Sequence, residues 1–204
     1  LSDLHSYSAR VASTVGVMMC VIMNVRDKDV LARACDLGAA MQLTNIARDI
    51  GEDARNGRLY MPLEWMSKEG LNSTEFLKNP KASEKTARIA KRLLLEAEHL
   101  YYRAEAGLSQ LPFSCRPGIF AARHIYEKIG KHIAAANYDS ITNRAFTTKI
   151  EKVGYQNIKV SITKDKNQGC TIFGSCLIKG VTNKESPKWL KDKIDSLGQK
   201  PISA

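Results

Sequence analysis

Gln42, Asn45, Asp49 and Asp53 stand at steps of 3, 4 and 4 residues inside a stretch otherwise rich in Ala, Leu, Ile and Met. On an α-helix that spacing makes one polar stripe, with Gly38 extending it one turn earlier. Ala39, Leu43, Ile46 and Ile50 form an apolar stripe about a quarter turn away. Two carboxylates at i and i+4 have Cβ atoms about 5–6 Å apart, close enough for both to hold a hard cation. Mg²⁺ takes oxygen ligands and commonly combines one or two carboxylates with substrate phosphate. Asn45 would add a neutral amide to that set. A buried carboxylate costs several kcal/mol unless something pairs with it, so such a helix needs a cationic partner. The plainer reading of the same spacing is a solvated helix face, with Arg48 and Glu52 as an ordinary i, i+4 ion pair.

The elements that must position this stripe read as helices. "SYSARVASTVGVMMCVIMNV" is one long, apolar helix rich in small residues, and "RDKD" (Arg26 to Asp29) reads as a polar connection. "VLARACDLGAAMQLTNIARDIGEDARNG" is the second helix, with Gly57 as its stop. "RLYMPLEWMSKEGLNSTEFLKNPKAS" reads as loop, punctuated by Pro62, Gly70 and Pro80. Helical spacing returns in "TARIAKRLLLEAEHLYYRAEAGLSQL" and, after "PFSCRPG", in "IFAARHIYEKIGKHIAAANYDSITNRAF". Four to five helices and no strand signal before residue 150 predict an all-α domain over residues 1–150. Residues 151–204 differ in composition. They hold ten Lys, five acidic residues and no Arg, and they read as a Lys-rich, irregular C-terminal tail.

The 204 residues suffice for one domain with a real core, and 44% are apolar. No apolar run reaches the roughly 18 residues of a membrane span. The net charge of +10 favours anionic partners such as diphosphates or an acidic membrane surface. No basic stripe interleaved with aromatics points to nucleic acid. The five cysteines form no CxxC pair, so buried free thiols are expected rather than a Cys/His metal site.

The 21-residue string "QLTNIARDIGEDARNGRLYMP" (Gln42 to Pro62) resembles the second aspartate-rich motif of the squalene/phytoene synthase family. Its pattern runs close to Q-L-T-N-I-x-R-D-x-x-E-D-x-x-x-G-R-x-Y-x-P. "YSARVASTVG" (Tyr7 to Gly16) is similar to an earlier helix of that family, departing from it at Ser8 and Ser13. "EAEHLYYRAEAGLSQLPFSCRPGIFAARHIYEKI" and "YDSITNRAFTTKIEK" are similar to its later helices. The likeness covers about residues 1–153, and the motif style is nearest to the phytoene synthases. The family's first aspartate-rich motif has no counterpart here, which implies a fragment carrying half of the metal site.

The resemblance implies a partial isoprenoid-synthase helical bundle and a prenyltransferase. Two geranylgeranyl diphosphates would condense head to head to phytoene through a cyclopropyl diphosphate, in carotenoid biosynthesis. Farnesyl diphosphate with squalene, dehydrosqualene or hydroxysqualene as product is the alternative. A non-catalytic relative acting as an assembly factor, or an inactive fragment, is the second alternative. Asp49 and Asp53 are then catalytic and, with Asn45, hold Mg²⁺ or Mn²⁺; NADPH is not expected. Gln42, Asn45, Arg48 and Arg58 would bind diphosphate, joined by Tyr126, and Tyr7 would face the reacting carbons. Val11, Val15, Gly16, Gly38 and Met41 would line an apolar channel, and Ser13, Met18, Met19 and Met41 would set its length. The partners implied are prenyl diphosphates, in a cytoplasmic protein for which peripheral membrane contact stays open.

Overall fold

A computed structural model describes residues 1–145 and residue 147. The expected tail, 151–204, lies outside the described residues. The described chain is all-α: α1 (Ser2–Ser8), a π-helical turn (Ala9–Ser13), α2 (Thr14–Ile22), α3 (Lys28–Arg55), α4 (Leu63–Lys68), α5 (Ser73–Lys78), α6 (Glu84–Leu108) and α7 (Arg116–Ala135).

The central helix is α3, and its ends are chemically specified. Asp27 caps the first turn, its carboxylate accepting from the backbone N–H of Asp29 at 2.9 Å and of Val30 at 3.1 Å. The expected "RDKD" connection is therefore half a helix start. At the other end Gly57 takes φ +71°, a left-handed conformation that favours glycine. Arg58 N–H then donates to the Asp53 carbonyl at 2.8 Å and Gly57 N–H to the Ala54 carbonyl at 3.0 Å, the two bonds of a Schellman stop. That turn folds Arg58 back beside Asp53.

α6 packs antiparallel along one face of α3. The cross-contacts fix the register: Thr44 pairs with Tyr101 and Asp36 with Arg103. Ala40, Leu43, Ala47, Ala90 and Leu93 along this seam are fully buried. The Thr44 hydroxyl donates to the Ala40 carbonyl at 2.9 Å and accepts from the Tyr101 hydroxyl at 3.0 Å. A Ser83–Thr86 capping box starts α6.

The other face of α3 meets the π-helical turn and α2, also antiparallel. A Cβ on Gly38 would lie 2.6 Å from the Ala12 carbonyl oxygen, and one on Gly16 would lie 2.6 Å from that of Ala34. Only the missing side chains let the backbones approach this closely. The π turn sits at this crossing, and Ser13 Oγ donates to the Cys35 carbonyl at 2.8 Å. Wide turns of this kind insert a residue and re-aim what precedes them.

Two local differences from the sequence expectations have plain causes. The segment read as loop between Arg58 and Ser83 holds α4 and α5, because Trp65, Met66 and Phe76 bury against the core. The last helical stretch ends at Ala135, where Asn137 and Tyr138 take φ of +53° and +60°. Asp139 then accepts from Ile141 N–H and Thr142 N–H at 3.0 and 2.9 Å, folding the chain into a strap. The strap lies on α3: Gly51 N–H donates to the Ser140 carbonyl at 3.1 Å and Arg55 to the Ile141 carbonyl at 3.1 Å. None of the described helices is long and apolar enough to cross a membrane.

Candidate active site

The open face of α3 walls a cavity of about 300 Å³. It runs from Val30 and Leu111 at one end to Gln42 and Asn45 at the other, with Val15, Met19 and Met41 along its sides. The lining is almost wholly apolar. Val11, Gly16 and Gly38 also line it, and so does Tyr126, which the resemblance places at the diphosphate rather than along the channel. Gly16 and Gly38 have an additional task there, since they permit the helix crossing itself. Two expectations are corrected. Ser13 does not line the cavity but is buried with its hydroxyl bonded to α3. Met18 is 54% exposed and is not among the lining residues, whereas Met19, Met23 and Met41 line the cavity.

The carboxylates begin one turn beyond the cavity's polar end. Asp49 Oδ1 accepts from Arg48 Nε at 2.8 Å and from Arg144 Nε at 2.7 Å, and Asp49 Oδ2 accepts from the second Arg48 nitrogen at 2.6 Å. Arg144 also reaches Glu52 Oε2 at 2.9 Å. Arg48 thus pairs with its neighbour rather than with Glu52. Burial alone would raise the Asp49 carboxyl, but the guanidinium hydrogen bonds outweigh it and hold Asp49 below its ordinary range. Asp53 goes the other way. Burial first, then the Asp49 charge, push its carboxyl up, with Arg58 only partly offsetting them.

Tyr7 stacks on Tyr60, ring centroids 5.2 Å apart. A hydrogen bond with Tyr60 and then burial raise the Tyr7 phenol above its ordinary value, and the charges of Asp53 and Arg58 also reach it. Tyr7, Tyr60, Asp53 and Arg58 therefore form one neighbourhood at the end of α3. Tyr60 and Arg144 had no role in the sequence reading. Tyr60 was visible as one letter of the motif. Arg144 lies 95 positions from Asp49, and no periodicity could have joined them.

Among the described residues no three His, Cys, Asp or Glu side chains converge as a metal cage. The donor set nevertheless suits a hard cation completed by a ligand's phosphates. Asn45 Oδ1 is buried with no hydrogen-bond partner, one turn before Asp49, and Asp53 is a carboxylate short of positive charge. Cys20 and Cys35 are free thiols beside the cavity, and burial raises both.

The all-α scaffold thus sets an apolar cavity one turn away from a cluster of carboxylates and guanidinium groups. The sequence profile of the squalene/phytoene synthase family matches residues 1–151, and the chain belongs to that family. It is 60% identical over 152 residues to the phytoene synthase of Cereibacter sphaeroides, covering 74% of this chain and 43% of that protein. It is 57% identical over 153 residues to the phytoene synthase of Rhodobacter capsulatus, covering 75% and 45%. The chain thus spans about half the length of these relatives. Among solved structures it is similar to a dehydrosqualene synthase in complex with ligand. There the TM-score is 0.64 and the identity 30%, over 76% of this chain and 54% of that one.

Proposed function

We propose that the protein is a divalent-cation-dependent head-to-head prenyltransferase that condenses two geranylgeranyl diphosphates to phytoene. The observation that carries this is the join between the two halves of the site. An apolar cavity of about 300 Å³ ends at Gln42 and Asn45, and Asp49 and Asp53 follow over the next two turns. The identities to phytoene synthases support the product.

Asp49 and Asp53, with the Asn45 amide, would hold Mg²⁺ or Mn²⁺. The bound cation supplies charge neutralisation to the departing diphosphate. Arg58 and Arg144 are exposed forks at the same carboxylates and suit bidentate phosphate oxygens. Arg48 holds Asp49 in place. Met19 and Met41 would shield the allylic carbons from water, so the cation left when C–O breaks meets the second substrate's double bond rather than solvent. Tyr7, stacked on and hydrogen-bonded to Tyr60, would face the end where the chains join. Carbon–carbon bond formation with loss of one proton gives the cyclopropyl diphosphate. Loss of its diphosphate, rearrangement and loss of a further proton give phytoene, with no reductant consumed.

A farnesyl-using reading is favoured by the likeness to a dehydrosqualene synthase. The deciding experiment incubates the protein with C15 and C20 diphosphates separately, with and without NADPH, and identifies the hydrocarbons. A C40 product without NADPH is expected. C30 formed faster, or only with NADPH, overturns phytoene as the product. No hydrocarbon from either overturns the enzyme reading for this chain in favour of a non-catalytic relative or an inactive fragment. Asp49→Asn and Asp53→Asn should each cut turnover by orders of magnitude while the helical content stays unchanged.

A further inference from the structure

We infer that Arg144 is the resident counter-cation of the carboxylate pair and that it gives up Asp49 when a divalent cation arrives. The inference rests on the reading that Asp49 and Asp53 hold such a cation.

Three N–H groups already occupy the Asp49 carboxylate, two from Arg48 and one from Arg144. An ionised carboxylate offers about four lone-pair positions, so little room is left for an ion that binds oxygen at about 2.1 Å. One guanidinium must yield. Arg48 belongs to the same helix as Asp49, and its side chain is only 17% exposed. Arg144 is 53% exposed, comes from the strap after α7, and reaches Asp49 with Nε alone. The same Nε lies 2.9 Å from Glu52, whose side chain is 49% exposed. Glu52 is thus a second acceptor on the solvent side, onto which Arg144 can move without losing its pairing.

Charge drives the exchange. A divalent ion held by Asp49 would bring like charge to the Arg144 guanidinium bonded to the same carboxylate, and like charges repel. The empty-state site is therefore stabilised by Arg144, and that stabilisation opposes the metal.

The test measures binding of Mn²⁺ alone, by electron paramagnetic resonance of the free ion, with no diphosphate present. Arg144→Gln keeps a hydrogen-bond donor and removes the charge, and should tighten Mn²⁺ binding roughly three- to tenfold. Arg144→Lys keeps the charge and should stay within about twofold of the native protein. A gain in affinity cannot come from misfolding, and thermal unfolding checks that both variants fold. Unchanged or weaker binding by Arg144→Gln overturns the inference, as does an equal gain by Arg144→Lys. The reading of the metal site fails separately. If the native protein binds no Mn²⁺, or binds it as well after Asp49→Asn, the site assignment falls and takes the inference with it.

Discussion

The two faces of α3 are built from one helix and do opposite things. Toward α6, Ala40, Leu43 and Ala47 show no exposed surface, and the hydroxyls of Thr44 and Tyr101 bond to each other. Toward α2 the same helix presents Met41, Gln42 and Asn45 to an open cavity whose other wall leaves Val11 and Val15 exposed by 43% and 48%. On the first face the Thr44 and Tyr101 hydroxyls bond to each other, and the Asp36 carboxylate is ion-paired with Arg33 and Arg103. The second leaves the Asn45 carbonyl oxygen without a partner and keeps apolar side chains uncovered. Stability belongs to the first face, and unsatisfied capacity for a ligand belongs to the second.

The largest test of that division is a pair of truncations. Leu43→Ala opens a cavity in a seam that cannot collapse and should cost about 3–5 kcal/mol by chemical denaturation. Val15→Ala removes a side chain that is already half exposed and should cost under about 1 kcal/mol. Its effect should appear instead as weaker prenyl-chain binding. Equal stability costs for the two would erase the distinction between the faces.

The periodicity made this division legible before any coordinates. The polar stripe and its apolar neighbour were both readable from residue spacing, and the glycine stop at Gly57 falls where expected. What could not be read depends on contacts between distant segments. The π turn has no composition signal of its own, because Ala9 to Ser13 reads as an ordinary helix. α4 and α5 are single short turns, stabilised by Trp65 and Phe76 docking on the core rather than by their own pattern. Arg144 reaches Asp49 only because Gly51 lets the strap lie against α3, its absent Cβ leaving room for Ile141 Cα at 2.6 Å. Gly38 is expected from the resemblance to line a channel, and its tighter constraint is the Ala12 backbone.

That last constraint gives a test of intermediate size. In Gly38→Ala the new methyl meets backbone atoms of Ala12 and Ser13 at 2.6–2.8 Å, and backbone cannot rotate aside. We expect a loss of about 1–3 kcal/mol from overpacking, together with a shift of α2 away from α3 that alters ligand binding. Gly57→Ala meets no neighbour and acts only through its left-handed φ, so it should cost about 1 kcal/mol and leave the cavity intact. A Gly38→Ala protein with native stability and native binding would show that the crossing is looser than drawn.

The smallest effect concerns Glu127 on α7, which lies near the sealed seam rather than the open face. Its carboxylate lies 2.8 Å from Lys131 and 2.8 Å from Arg123. Burial works against its charge, but Lys131 and then Arg123 outweigh burial and hold the carboxyl below its ordinary value. A carboxyl depressed in the folded state stabilises the fold above its unfolded pKa of about 4.3, and that contribution is lost as pH falls toward and through the folded value. Glu127→Gln should therefore lower stability slightly at neutral pH, by about 1 kcal/mol or less given its partial exposure. The native and variant unfolding midpoints should converge as the pH drops below 4 or so. Arg123 is the reason the effect is measurable at all: it is 7% exposed and also reaches Glu105 at 2.7 Å, so removing Glu127's charge leaves a buried guanidinium with one carboxylate instead of two. Midpoints that stay parallel across the acid range would place the acid sensitivity elsewhere, and the carboxylates at the end of α3 would be the next to measure.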